Sequence, residues 1–187
     1  HYYLQVPVTV EPINLAGFGP LQGGQEDIWI GQIMQGLGFN QPYQDAVRQF
    51  DHQTRISDGT DWAFTVFVVD SSNDPDGSFT NGAFAYAYLG GPFVVMTYKN
   101  DGWTIDNMDI VTAHETAHIF QAQDEYWDNT PPFSSCSPVA SCTATSGFLN
   151  VENQNCDNPT PCLLDEDSIM RDAAAQQIAF PNGLITT

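Results

Sequence analysis

The spacing of apolar positions changes several times along the chain, and each change predicts an element. Tyr2 to Val10 alternates and is rich in β-branched residues, which predicts a strand; Pro7, lacking an N–H, confines it to a sheet edge. Gln25 to Gln35 carries Ile28, Trp29, Ile33 and Met34 at helical spacing, and Gly36 and Gly38 stop the run. Gln44 to Arg55 sets Ala46, Val47 and Phe50 on one face of a second helix. Trp62 to Val69 is a short apolar run and predicts a buried strand. Ala83 to Leu89 and Phe93 to Tyr98 predict two more strands, parted by Gly90-Gly91-Pro92. A third helix is expected from near Asp106 to about Gln121, then a long stretch rich in Pro, Ser, Asn and Cys, and a short helix around Asp172 to Phe180.

Strands and helices mixed over the first two-thirds, with an irregular remainder, predict an α+β fold in a single domain. Its α/β-type N-terminal lobe spans residues 1–121 and contains the third helix; a small irregular C-terminal lobe spans residues 122–187. No repeat or low-complexity linker divides the chain.

Composition narrows the classes. The 187 residues suffice for a real core, and a 12% aromatic content excludes a disordered acidic tail. Four Lys+Arg against 23 Asp+Glu give a net charge of −19, and the sequence pI is about 4.1. With Lys99 as the single lysine, neither nucleic acid nor an anionic membrane surface is an expected partner. No apolar run approaches the roughly 20 residues needed to span a bilayer. The acid is lopsided, with 17 Asp against 6 Glu; Asp suits turns, caps and metal loops, so bound cations compete with adaptation to a salty or acidic medium as its explanation. The opening His1-Tyr2-Tyr3 reads as a mature form already trimmed of leader segments. Cys136, Cys142, Cys156 and Cys162 form two C-x5-C units. That spacing is poor for a structural zinc site, and an even count in an exported chain favours two disulfides. Three connectivities are open, with sequential pairing preferred. The expectation is a secreted monomer.

The chemistry concentrates in the third helix, where His114-Glu115-Thr116-Ala117-His118 matches H-E-x-x-H. Positions i and i+4 share a helix face with Cβ atoms about 5–6 Å apart, so two imidazoles can grip one zinc ion from a rigid base. Glu115 is turned about 100° round the helix, beside the metal rather than on it, where it can deprotonate a zinc-bound water. The alternative is two half-buried helix histidines beside a surface glutamate. Asp124, six residues after His118, stands where a chain leaving the helix can fold back to supply a third ligand; Glu125 is the runner-up. Glu152 and Glu166 are the remaining carboxylates for a ligand on a separate helix, both in poor helical context.

With Asp in the last place, His114-Glu115-x-x-His118-x5-Asp124 resembles the extended zinc motif of the metzincin metallopeptidases, and in particular the snapalysin branch. Asp124-Glu125-Tyr126 is similar to a stretch of bacterial immunoglobulin-A-peptidase-like sequences. Two further segments fall in the order such a protein requires. Ser168-Ile169-Met170 resembles the Met-turn beneath the metal. Ala83 to Tyr88 resembles the upper-rim edge strand, implying that Ala85, Tyr86 and Ala87 pair with an extended substrate. The resemblance implies a twisted mixed sheet, an active-site helix and a small disulfide-linked C-terminal lobe. Two positions depart from the pattern: Gln121 replaces the glycine that turns the chain out of the helix, and Asp172 stands where a tyrosine often follows the Met-turn.

The expected activity is therefore a secreted zinc endopeptidase acting on a peptide or protein substrate, with a zinc-bound water activated by Glu115. A second cation is a candidate at Asp70, Asp74 and Asp76, within Asp70-Ser71-Ser72-Asn73-Asp74-Pro75-Asp76-Gly77-Ser78. The segment is similar to a D-x-D-x-D-G calcium loop but has neither an EF-hand start nor a Glu at the twelfth place, and a solvated turn between strands is the preferred reading over a calcium site. The competing function is an inert calcium-dependent binding or adhesion module on the same scaffold. Zinc hydrolysis of a non-peptide bond is permitted by the motif but supported by nothing else.

Overall fold

The computed structural model describes residues 4–6, 8–19, 23–126, 145–146, 149–152, 155 and 168–170. It is a mixed α+β fold with helices α1 (Glu26–Gly36), α2 (Tyr43–Asp58) and α3 (Met108–Ile119) and strands β1 (Thr65–Val69), β2 (Ala85–Ala87) and β3 (Phe93–Thr97). The strands make a small mixed sheet in the order β1-β3-β2. β1 and β3 run parallel, in register from Thr65 opposite Phe93 to Val69 opposite Thr97. A two-residue hairpin that the sequence did not predict, β4 (Thr145–Ser146) with β5 (Val151–Glu152), pairs antiparallel.

The chain divides into two compact units. The first holds residues 1–86 and 92–107, and its core lies where α1 and α2 meet the sheet. β3 is its centre: Phe93, Val94, Val95 and Met96 are wholly buried, as expected of a strand flanked on both sides. Trp29 of α1 meets Phe67 edge-on at 5.4 Å, and Phe67 meets Phe93 at 5.5 Å. β1 differs from expectation. It is an edge strand buried on one side only, with Phe67 and Val69 inward and Val66 and Val68 exposed. An apolar run does not distinguish one-sided from two-sided burial; that is decided by what packs against each face of the strand.

The predicted first strand is also corrected. Residues 4–6 and 8–10 include no strand. Thr9 instead gives its backbone N–H and hydroxyl to the Gln32 side chain of α1, at 2.8 and 3.0 Å, so the segment is tied to a helix rather than to a sheet. The predicted helix around Asp172 to Phe180 lies outside the described residues.

All three helices end in the same hydrogen-bond pattern, in which a left-handed residue closes the last turn. Phe39 N–H bonds Met34 O and Gly38 N–H bonds Gln35 O after α1; Thr60 N–H bonds Arg55 O and Gly59 N–H bonds Ile56 O after α2. Ala122 N–H bonds Ala117 O and Gln121 N–H bonds His118 O after α3. Gly38 and Gly59 occupy the left-handed position at φ 92° and 63°, but Gln121 takes it at φ 66° without being glycine. The second unit holds residues 87–91 and 108–187, and therefore α3 and everything after it.

Candidate metal centre

α3 opens with Asp109, whose carboxylate accepts the Ile110 N–H at 2.8 Å and whose charge suits the positive end of the helix. Its last two turns carry His114, Glu115 and His118. The spacing of four sets the two imidazoles edge to face, 5.0 Å between centroids. The closing turn at Gln121 then reverses the chain. Ala122 O comes within 2.8 Å of His118 Nδ1, and Asp124 reaches both rings: its Oδ1 lies 3.0 Å from His114 Nε2 and 3.3 Å from His118 Nε2.

His114 is oriented from further along the chain. Its Nδ1 lies 2.8 Å from the carbonyl oxygen of Ile169. A carbonyl only accepts, so both Nδ1 atoms carry a hydrogen, and in each neutral ring Nε2 keeps its lone pair. The Nε2 atoms therefore face Asp124; each donates to the carboxylate while it is protonated and presents a lone pair once that proton is lost. This is how histidine ligands are commonly held, with the second ring nitrogen donating to a fixed acceptor. His114, His118 and Asp124 each offer one donor atom within 4.8 Å of the others. They form the only group of three or more His, Cys, Asp or Glu side chains able to hold a metal ion among the described residues.

The electrostatics follow from burial and proximity. Burial opposes charging of His114, but the Asp124 hydrogen bond and the nearby Glu115 and Asp124 carboxylates outweigh it and raise its pKa to about 9. His118 is raised in the same way, chiefly by Asp124 against the effect of burial. Asp124 is 8% exposed; burial would raise its pKa, but hydrogen bonds from His114 and His118 hold it down at about 2. Glu115, also 8% exposed, is raised by burial, with the two histidines and the backbone N–H of Ala87 pulling the other way. The site thus holds one carboxylate kept ionised and one pushed toward its acid form, a division of roles set by surroundings.

Residues expected from the sequence fall into place unevenly. Met170 is buried, and its carbonyl accepts the Glu125 N–H at 2.7 Å. Glu125 is not in the donor group; its carboxylate accepts from Asn155 and Ser168 instead. Of the three β2 residues, Ala87 lies against Glu115, whereas Tyr86 is a core residue of the first unit, stacked on Phe18 at 4.4 Å. β2 stands at an edge of the described sheet, and Ala85 is half-buried there.

The acidic loop is not drawn into one metal-sized group. Each carboxylate turns back on its own backbone: Asp70 Oδ1 accepts Ser72 N–H, Asp74 Oδ1 accepts the N–H groups of Asp76 and Gly77, and Asp76 Oδ1 accepts Ser78 N–H. Lys99 Nζ donates to the Asp74 carbonyl. Cys136, Cys142, Cys156 and Cys162 lie outside the described residues. The groups the sequence did not reveal are the two orienting carbonyls, the Asn155–Ser168 pair on Glu125, and Tyr126, whose ring stacks on His114 at 6.2 Å. Tyr126 had a local signal, standing two residues after Asp124; the carbonyls had none. Among the described residues no helix is long and apolar enough to cross a membrane.

No family model matches this chain, and neither does any curated protein or solved structure.

Proposed function

We propose that the protein is a secreted zinc-dependent endopeptidase of metzincin-like type. The observation that carries this reading is the convergence of His114 Nε2, His118 Nε2 and Asp124 Oδ1, with both histidines turned by carbonyl acceptors on Nδ1 so that their Nε2 atoms face the gap. Ligand atoms about 2.0–2.1 Å from a tetrahedral zinc stand about 3.3 Å apart. The two N···O separations, 3.0 and 3.3 Å, are close to that edge. Two imidazoles and one carboxylate suit zinc and leave a position for substrate or water. Calcium and magnesium prefer all-oxygen sites, which this is not.

When bound, zinc supplies Lewis acidity at the scissile carbonyl and lowers the pKa of water. Glu115 does the proton work. Set one residue round the helix from His114 and made more basic by burial, its carboxylate would accept a proton from the attacking water and, as the acid, pass it to the leaving amine. His114 and His118 hold their rings fixed throughout, and Asp124 keeps its charge on the metal side. Ala87, at the end of β2, brings backbone beside Glu115 for an extended peptide to follow. The even cysteine count supports export.

The test is hydrolysis of casein by the purified protein. Activity is expected to vanish with phenanthroline, to return with zinc, and to be absent from Glu115→Ala at unchanged zinc content. A wild type that is inert at full zinc occupancy overturns the enzymatic reading.

A further inference from the structure

Glu125 follows the third member of the donor group, yet its side chain points to other partners. Its Oε2 accepts the Asn155 side-chain N–H at 2.9 Å and the Ser168 hydroxyl, while its backbone N–H donates to Met170 O at 2.7 Å. Between those two anchors lies Ile169, whose carbonyl accepts His114 Nδ1–H at 2.8 Å. Three consecutive residues, 168 to 170, thus hold the Glu125 side chain, the His114 ring and the Glu125 backbone in turn. Asn155 is buried, so its hold on the carboxylate is sheltered from water.

We propose that Glu125 is a positioning residue for the metal centre. It pins residues 168–170 so that the Ile169 carbonyl stays on His114, and through its own backbone it fixes where Asp124 points. One donor is then set through the Glu125 carboxylate and a second through its backbone N–H, although Glu125 is itself outside the donor group. Truncating Glu125 keeps its backbone N–H but removes the side-chain hold on Ser168 and Asn155, so residues 168–170 loosen, and with them the Ile169 carbonyl on His114 and the Met170 carbonyl that anchors the Asp124 segment. Ser168 and Asn155 act through Glu125, and losing either weakens the same clamp. This inference rests on the zinc reading above and concerns its geometry.

The test measures zinc affinity by competition with a chromophoric chelator, and the visible absorption of the cobalt(II)-loaded protein, in wild type, Glu125→Ala, Glu125→Gln and Ser168→Ala. Glu125→Ala is expected to weaken zinc binding about 10–100-fold and to shift the cobalt bands, in the range usual for groups that orient metal ligands. Ser168→Ala is expected to do the same to a smaller degree, and it decides the matter alone if Glu125→Ala does not fold. In Glu125→Gln the amide oxygen still accepts both donors, so affinity is expected to stay within about threefold of wild type. Wild-type zinc affinity and an unshifted cobalt spectrum in the alanine variants, even with a lowered Tm, would assign Glu125 to stability only and overturn the clamp. A wild type that takes up neither ion overturns the zinc reading and the clamp with it.

Discussion

The Nδ1 atom of His118 stands 2.8 Å from the carbonyl oxygen of Ala122, four residues further along the chain. That contact exists because α3 ends in a left-handed turn at Gln121. The turn reverses the backbone within two residues, aims the Ala122 carbonyl at the ring and delivers Asp124 to the far side of both histidines. Helix end and donor group are one piece of geometry.

Gln121 holds φ at 66°, where a Cβ costs on the order of 1 kcal/mol and glycine costs nothing. Its side chain lies over Gly90, a modest packing contribution that a substitution removes. Gln121→Gly is therefore expected to stabilise by about 0.5–1 kcal/mol and to raise Tm by about 1–4 °C, with zinc affinity kept. Gln121→Val, β-branched, is expected to lower Tm and weaken zinc binding together. Thermal melts with and without zinc check both; a lower Tm for the glycine variant would show that the Gly90 contact outweighs the backbone strain.

In the proposed zinc site Asp124 would place a negative charge among the ligands. A zinc held by two histidines and an aspartate keeps less net positive charge than one held by three histidines, and acidifies water less. If Asp124→His retains zinc, the acid limb of its kcat/KM profile is expected to shift to lower pH. An unmoved limb in a zinc-replete variant would refute the charge argument.

The acidic loop gives an expectation of the opposite kind. Its carboxylates are engaged by their own backbone, and the lone lysine of the chain, Lys99, donates to the Asp74 carbonyl. Millimolar calcium added after EGTA treatment is therefore expected to move Tm by less than about 1 °C, since a ligand stabilises only as far as it binds the native state. Lys99→Met is expected to lower Tm instead. A calcium-dependent rise of several degrees would favour the cation reading of Asp70, Asp74 and Asp76 instead.

What could be read from the sequence was local. His114, Glu115 and His118 share one helix, and Asp124 lies one turn beyond it, so spacing alone brought them to notice. The stop signals Gly36 and Gly38 likewise marked the end of α1, which closes through Gly38. What could not be read was settled by contacts distant along the chain. The Ile169 carbonyl orients His114 from 55 residues away, and a backbone acceptor leaves no trace in residue identity. That β1 buries only Phe67 and Val69 depends on what packs on each of its faces, Trp29 of α1 on the inner one, and not on the run Thr65–Val69 itself. The described part of the predicted first strand, residues 4–6 and 8–10, is likewise not a strand: Thr9 bonds the Gln32 side chain of α1, a partner 23 residues on.

Asp51 offers a prediction independent of the metal centre. It lies on α2, 7% exposed, where Oδ1 accepts the Thr65 hydroxyl at 2.7 Å and Oδ2 is buried without a partner among the described residues. Burial raises its pKa from the ordinary 3.8 to about 6, against the Thr65 hydrogen bond and the charge of Arg48. Between those two values the folded state holds a proton that the unfolded chain has released. Stability from this group is therefore fully present below about pH 4, falls as pH rises to about 6, and stays low above. Asp51→Asn keeps an acceptor for Thr65 and removes the buried charge. It is expected to stabilise on the order of 1–3 kcal/mol at pH 7.5, and to give no gain at pH 4. Denaturant melts of both proteins at the two pH values measure the difference; a gain equal at both would mean that Asp51 is not the titrating group.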